Sequence, residues 1–129
     1  MARILIIDDE DLVRFTLRAM LEGEAHEVLE AENGEQGIPI LEETQVDVVI
    51  SDILMPVREG LETITEVKSR WPEIPVIAIF GGGRFGNTNY LEMAAQMGAT
   101  TTLRKPFTRD DLLAKLDMCL RSGGDNGAN

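Results

Sequence analysis

The chain alternates short, mainly apolar runs with longer stretches in which apolar residues recur every three or four positions. Runs of about four to eight apolar residues are typical of strands buried on both faces, and the longer spacing is typical of amphipathic helices. Strands are predicted at residues 4–7, 27–31, 46–51, 75–80 and 100–104. Helices are predicted at residues 10–22, 34–43, 60–70 and 88–97, with a fifth after Thr108. This regular alternation predicts an α/β fold, a doubly wound parallel sheet of five strands with helices on both faces.

Several residues mark where these helices begin or change direction. Asn33 is a predicted N-cap, and Thr108 and Asp111 have the spacing of a capping box. Pro39 lies inside the second predicted helix and is expected to kink or shorten it.

The length of 129 residues is enough for one domain. We place that domain at residues 1–121, followed by a flexible, glycine-rich tail at 122–129. The apolar fraction of 43% is typical of a protein with a normal core, but no apolar run is long enough for a membrane span or a signal peptide. Cys119 is the only cysteine, so neither a disulfide nor a cysteine metal cluster is expected. We therefore expect a cytoplasmic protein.

The formal net charge of −11 argues against nucleic acid as a direct partner, because phosphate binding depends on clustered lysine and arginine. This acidity has two interpretations. The 23 acidic residues either keep the protein soluble, or some of them gather at a cation site. The order of the residues supports the second interpretation for a few of them.

Charged side chains follow three of the predicted strands. Asp8 and Asp9 follow the first strand, Asp52 follows the third, and Lys105 follows the fifth. Ligands of doubly wound sheets bind at the carboxyl ends of the strands, near the point where the strand order reverses. We therefore expect three carboxylates and one ammonium group to converge there. Ordinary solvated acids are the alternative, but acids after two strands and a Lys-Pro pair after a third form a more specific combination.

Carboxylates that lie so close together favour a cation. At about 4 Å and an effective dielectric constant of about 20, each pair repels by roughly 4 kcal/mol. Ligands that are all oxygen favour Mg²⁺, Mn²⁺ or Ca²⁺ over zinc, and a site with few protein ligands suits Mg²⁺. Such a cation and Lys105 would together attract a substrate phosphate, and one carboxylate could then attack phosphorus.

Three segments, ILIIDDED, DVVISDILMP with Gly60, and LRKPF, resemble the receiver domain of bacterial two-component response regulators. The resemblance covers about residues 2–121. It implies a flavodoxin-like, CheY-like sheet in the order 2-1-3-4-5. It also implies that a sensor histidine kinase or a histidine phosphotransfer protein donates a phosphoryl group to an aspartate, with Mg²⁺ bound and Mn²⁺ as an alternative.

The resemblance assigns roles to individual residues. Asp52 matches the phosphoacceptor, and Asp8 and Asp9 match the metal-binding acids, with Asp52 and the main-chain carbonyl of Leu54 as further metal ligands. Lys105 matches the lysine that pairs with the phosphoryl group, and the peptide bond that follows it is expected to be cis. No other cofactor is expected.

Two positions depart from the pattern of the family. Phe80 stands where the family has serine or threonine, and Thr102 stands where it has tyrosine or phenylalanine. In the family, that hydroxyl bonds the phosphoryl group and lets the aromatic residue turn inward, so altered switching is expected. Phe80 is either a core residue that fills space, or a ring that occupies the pocket of the hydroxyl and holds one conformation.

The leading hypothesis is therefore a phosphoacceptor signalling domain, not an enzyme, although autophosphorylation and autodephosphorylation are limited catalytic activities. The alternative is a pseudo-receiver, a binding module that acts without phosphorylation. A flavin or nucleotide protein is disfavoured because DDED would repel phosphate after the first strand. A downstream protein target is expected but not identified, a weak homodimer is left open, and neither membrane insertion nor direct nucleic-acid binding is expected.

Overall fold

The computed structural model describes residues 1–53, 57–81, 92 and 95–128. The strands are β1 (Arg3–Ile7), β2 (Glu27–Ala31), β3 (Val48–Asp52), β4 (Val76–Gly81) and β5 (Thr101–Lys105). The helices are α1 (Asp11–Glu22), α2 (Gly34–Glu43), α3 (Val57–Arg70) and α4 (Arg109–Ala128). All strand pairs are parallel, and the sheet has the order β2-β1-β3-β4-β5. The predicted α/β fold and strand order are confirmed.

Some element bounds differ from those predicted. Four helices are described instead of five, because the predicted helix over 88–97 lies mostly outside the described residues. α3 begins at Val57, earlier than predicted. α2 keeps its predicted length with Pro39 inside it, so the proline does not shorten the helix. The buried Leu41 near the end of α2 packs in the core, which stabilises the turns that follow the proline.

The last helix continues past the predicted domain boundary at residue 121. α4 runs to Ala128, and the flexibility that the sequence predicts for 122–129 stays a prediction. Adding a residue to a formed helix is easier than nucleating a new one, so the earlier turns of α4 favour its continuation.

Two apolar layers, one on each face of the sheet, form the core. α1 and α4 cover one face through Leu17, Leu21, Leu112 and Leu116. α2 and α3 cover the other face through Leu41, Ile64 and Val67. Residues of β1 alternate between the layers, since Ile4 and Ile6 belong to the first and Leu5 and Ile7 to the second. The three central strands β1, β3 and β4 are thus buried on both faces, as their continuous apolar runs predicted, whereas the edge strands β2 and β5 are only partly buried.

The predicted helix caps are confirmed. Asn33 Oδ1 accepts a hydrogen bond of 2.9 Å from the main-chain N–H of Gln36. The main-chain N–H of Asp111 donates to Thr108 Oγ1 at 3.0 Å, and that of Thr108 donates to Asp111 Oδ2 at 3.0 Å. This reciprocal pair is a capping box with aspartate in place of the usual glutamate or glutamine.

Gly60 allows α3 to lie against the carboxyl end of β3. A Cβ atom at this position would lie 2.8 Å from Ile53 Cα and 3.0 Å from the main-chain oxygen of Asp52. Only glycine fits this close approach without a shift of the backbone. Within the described ranges, no helix has both the length and the apolar character that crossing a bilayer requires.

Candidate functional site

The carboxyl ends of β1 and β3 place four acidic side chains close together. Asp8 and the two acids after it follow β1 directly, and Asp52 is the last residue of β3. β1 and β3 are neighbours at the point where the strand order reverses. One carboxylate oxygen from each of Asp8, Asp9, Glu10 and Asp52 lies within 4.8 Å of the others. We call these four acids, together with Lys105, the carboxylate site.

Lys105 brings a positive charge to this group from the end of β5. Its Nζ lies 3.2 Å from Asp52 Oδ2, 3.7 Å from Glu10 Oε1 and 4.0 Å from Asp8 Oδ2. Its partner in β4 is Gly81, which has no side chain to stand between the lysine and Asp52. The peptide bond that follows Lys105 is cis, as the resemblance implied.

Asp8 is the most constrained acid of the carboxylate site. Its side chain is buried, and its Oδ1 accepts a hydrogen bond of 2.8 Å from the main-chain N–H of Glu10. Among the described residues, its Oδ2 has no hydrogen-bond partner. The pKa of Asp8 is raised to about 7, chiefly by burial and additionally by the negative charge of Asp52, against the opposing effects of the Glu10 N–H and Lys105.

These residues fit a hard divalent cation. All the side-chain donors are carboxylate oxygens, which Mg²⁺ prefers. The buried Asp8 Oδ2 lacks a hydrogen bond within the described part of the chain, so a cation would satisfy an oxygen that is otherwise costly to bury. Asp9 and Glu10 are exposed, which leaves room for water ligands. Leu54, whose carbonyl the resemblance added to the ligand set, lies outside the described residues.

Glu10 was not among the residues that the sequence predicted for this site. It belongs to the acidic stretch after β1, yet only its two neighbours were assigned a role. Its position as a third consecutive acid at a strand end was the available signal. The structure places it within ion-pair distance of Lys105, so it adds negative charge to the carboxylate site.

The two unusual positions lie at the β4–β5 edge. Phe80 is 7% exposed and belongs to the core layer under α2 and α3. Thr102 pairs with Ala78, and both Phe80 and Thr102 line a cavity of about 400 Å³ beside α4. Phe80 is therefore a core residue. Whether its ring also holds one conformation stays a prediction.

The fold and the site define a class, a doubly wound α/β domain with carboxylates and one lysine at its switch point. Residues 4–117 match the family model of the response regulator receiver domain. The chain belongs to this family, whose members act in two-component signal transduction and phosphorelay.

Individual relatives agree with this membership. Protein PilH of Pseudomonas aeruginosa is 34% identical, over 93% of this chain and 98% of PilH. Transcriptional regulatory protein PdtaR of Mycobacterium tuberculosis is 32% identical over 92% of this chain, but the chain spans only 56% of PdtaR. The crystal structure of a response regulator receiver domain protein from Clostridium thermocellum has a TM-score of 0.85 at 33% identity, over 95% of this chain and 96% of that one.

Proposed function

We propose that Asp52 accepts a phosphoryl group from a sensor histidine kinase or a histidine phosphotransfer protein. Asp8, Asp9 and Asp52 would hold Mg²⁺ during the transfer, and the family resemblance adds the main-chain carbonyl of Leu54, which lies outside the described residues. The observation that carries this proposal is the buried Asp52 carboxylate, 3.2 Å from Lys105 Nζ and beside a buried Asp8 oxygen that has no hydrogen bond in the described residues. With a divalent cation bound, this arrangement could receive a phosphoryl group, because the cation and Lys105 would together offset its negative charge.

The transfer proceeds by attack of an Asp52 carboxylate oxygen on phosphorus. The phosphorus–nitrogen bond of the donor histidine breaks, its electron pair stays on the imidazole, and an acyl phosphate forms on Asp52. Lys105 donates from its ammonium group to a phosphoryl oxygen, for which its position beside Asp52 prepares it. Bound Mg²⁺ supplies neutralisation of the charge on the phosphoryl oxygens. The protein contributes positioning and charge, not enzymatic turnover, so we do not classify it as an enzyme.

Switching after phosphorylation is altered in this chain. Phe80 has no hydroxyl with which to bond a phosphoryl oxygen, and such a bond to a charged group contributes roughly 1.5–3 kcal/mol. Reversing a two-state population from 1:99 to 99:1 takes about 5.5 kcal/mol. The missing hydrogen bond therefore corresponds to a large part of the free energy that usually drives the conformational switch. Relay to a downstream protein is weakened or rerouted as a result, whereas phosphorylation of Asp52 does not need this bond and survives.

The setting that we propose is cytoplasmic, with a histidine-containing phosphodonor protein upstream and a protein target downstream. The chain spans 56% of PdtaR. Any statement about the activity or partners of a longer protein that contains this domain is therefore also a proposal.

Intact mass measured after incubation with acetyl phosphate and Mg²⁺ tests the proposal. We expect the wild-type chain to gain one phosphoryl group and the Asp52→Asn variant to gain none, because the amide is a poor nucleophile. Asp47→Asn is the matched control, since Asp47 lies at the opposite end of β3 and bonds the main-chain N–H of Arg3. No mass gain in the folded wild-type chain would support the pseudo-receiver instead.

A further inference from the structure

We propose that Arg14 is a positioning residue for residues 8–10, the acidic loop. Arg14 holds the main-chain oxygen of Asp8 and thereby sets where Asp8 and Asp9 present their carboxylates to a cation. This inference rests on the proposed function, because it gives Arg14 a part in the same Mg²⁺ site.

Arg14 reaches the acidic loop from the first turn of α1. Its Nη1 donates a hydrogen bond of 2.6 Å to the main-chain oxygen of Asp8. Its Nε lies 3.1 Å from Glu30 Oε1, and its Nη2 pairs with Asp11. The Arg14 side chain is only 11% exposed, so its contacts with Asp8 and Glu30 are partly shielded from water, whereas its pair with Asp11 is exposed. One planar guanidinium group therefore joins the carboxyl end of β1 to β2 and to α1.

The contact with Asp8 constrains the backbone between the two metal-binding acids. The carbonyl that Arg14 holds belongs to the planar peptide unit that joins Asp8 to Asp9, so fixing its oxygen fixes the orientation of that plane. The preceding peptide is held as well, since the main-chain N–H of Asp8 donates to the oxygen of Ala31 at 3.0 Å. With both planes flanking Asp8 held, the direction of the Asp8 side chain and the position of the Asp9 main-chain nitrogen are set before a cation arrives.

Glu30 anchors this arrangement from β2. Its Oε1 accepts from Arg14, and its Oε2 lies 2.5 Å from Arg18 Nε. Arg18 lies one turn further along α1, where it bonds the main-chain oxygen of Val28 at 3.2 Å and pairs with Glu22. Arg18 thus shares the anchor of Arg14 but bonds a carbonyl in β2 instead of one in the acidic loop. It is a matched control for the contact with Asp8.

Positioning and simple electrostatics predict opposite effects of removing Arg14. Loss of a nearby positive charge by itself strengthens the binding of a cation, because like charges repel. Loss of a group that orients ligands weakens it, typically by 10–100-fold for residues that hold metal ligands in place. The sign of the change in Mg²⁺ affinity therefore separates the two roles.

The experiment is a calorimetric titration of the wild type, Arg14→Ala, Arg14→Lys and Arg18→Ala with Mg²⁺ alone, at pH 8. We expect about tenfold weaker binding by Arg14→Ala, partial recovery in Arg14→Lys, which keeps one donor, and a change below about twofold in Arg18→Ala. Thermal unfolding of each variant in EDTA is the control for folding, and a cooperative unfolding transition would show that the variant is folded. Amide exchange of Asp9 and Glu10 without Mg²⁺ should quicken in Arg14→Ala and not in Arg18→Ala.

Binding by folded Arg14→Ala that equals or exceeds that of the wild type would overturn the inference. Equal weakening in Arg14→Ala and Arg18→Ala would also overturn it, since the shared ion pairs would then matter more than the contact with Asp8. If Arg14→Ala does not fold, the test uses Arg14→Lys instead. An Arg14→Lys variant that binds Mg²⁺ with wild-type affinity although amide exchange in its acidic loop is faster would overturn the inference. If the wild type binds no Mg²⁺, the proposed function itself fails.

Discussion

The carboxyl ends of β1 and β3 differ sharply from that of β4, although all three lie at the same edge of the sheet. β1 and β3 end in carboxylates that face Lys105 across 3.2–4.0 Å. β4 places Phe80 in an apolar core layer just before its end. Under the proposed function, the first region carries the phosphoryl chemistry, and Phe80 in the second has no hydroxyl with which to respond to it. We therefore expect that accepting a phosphoryl group and responding to it are separable properties of this chain.

Replacing Lys105 with methionine should have the largest effect on the first region. We expect phosphorylation of Asp52 by acetyl phosphate to slow by about 100-fold, as is typical when a donor to a developing charge is removed. Mg²⁺ should bind more tightly to this variant, because an ammonium group no longer competes for Asp52 and Asp8. Initial rates from intact mass and Mg²⁺ titration would measure both.

Lys115→Met is the control for this change, because Lys115 lies on α4 beside the cavity that Phe80 and Thr102 line. In this variant, acetyl phosphate should phosphorylate Asp52 at the wild-type rate. A Lys105→Met variant that also reacted at that rate would mean that the lysine has no part in the transfer.

Replacing Phe80 tests the second region. Phe80→Thr should lower the free energy of unfolding by about 3 kcal/mol, because it leaves a cavity and an unpaired hydroxyl in the core. Phe80→Leu, which fills most of the volume, should cost about 1 kcal/mol. Urea unfolding measures both costs.

Phosphorylation of Asp52 should proceed in both Phe80 variants. A rate that falls more than tenfold in folded Phe80→Leu would contradict the separation of the two regions. Phosphorylated Phe80→Thr should also show larger amide shift changes in β5 than the phosphorylated wild type, because it regains a hydroxyl near the phosphoryl group.

The dependence of folding stability on pH that Asp8 causes should be a smaller effect than those of replacing Lys105 or Phe80, but it should be measurable. The pKa of Asp8 is raised from 3.8 to about 7 in the folded protein, so the folded state binds more protons than the unfolded state between these values. In EDTA, the stability contributed by Asp8 is present below pH 4 and is lost as the pH rises through 7. Between pH 5.5 and 8 in EDTA, the free energy of unfolding of the wild type should therefore fall by about 2 kcal/mol more than that of Asp8→Asn.

Mg²⁺ reverses the sign of this dependence. A cation needs the ionised carboxylate, so its affinity should rise by up to about tenfold per pH unit below 7 and level off above 8. Urea unfolding at the two pH values, with and without Mg²⁺, measures both trends. Equal slopes for Asp8→Asn and the wild type in EDTA would show that Asp8 ionises normally.

The sequence predicted most of this architecture because the signals were local. Continuous apolar runs identified the three central strands. Acids directly after two of them identified Asp8, Asp9 and Asp52 as neighbours, because parallel strands end on the same side of the sheet. Pro39 does not shorten α2, which keeps its predicted bounds, because its local effect is opposed by the packing of Leu41 at long range.

The sequence by itself determined the alternation of strands and helices, the acids at the strand ends and the absence of a hydroxyl at position 80. Only the tertiary structure decided that Glu10 approaches Lys105, that Asp8 keeps a buried oxygen without a hydrogen bond in the described residues, and that Arg14 holds the Asp8 carbonyl. The physical reason is that periodicity records which face of an element is buried, whereas ion pairs, raised pKa values and carbonyl contacts depend on atoms that the fold brings together from distant parts of the chain.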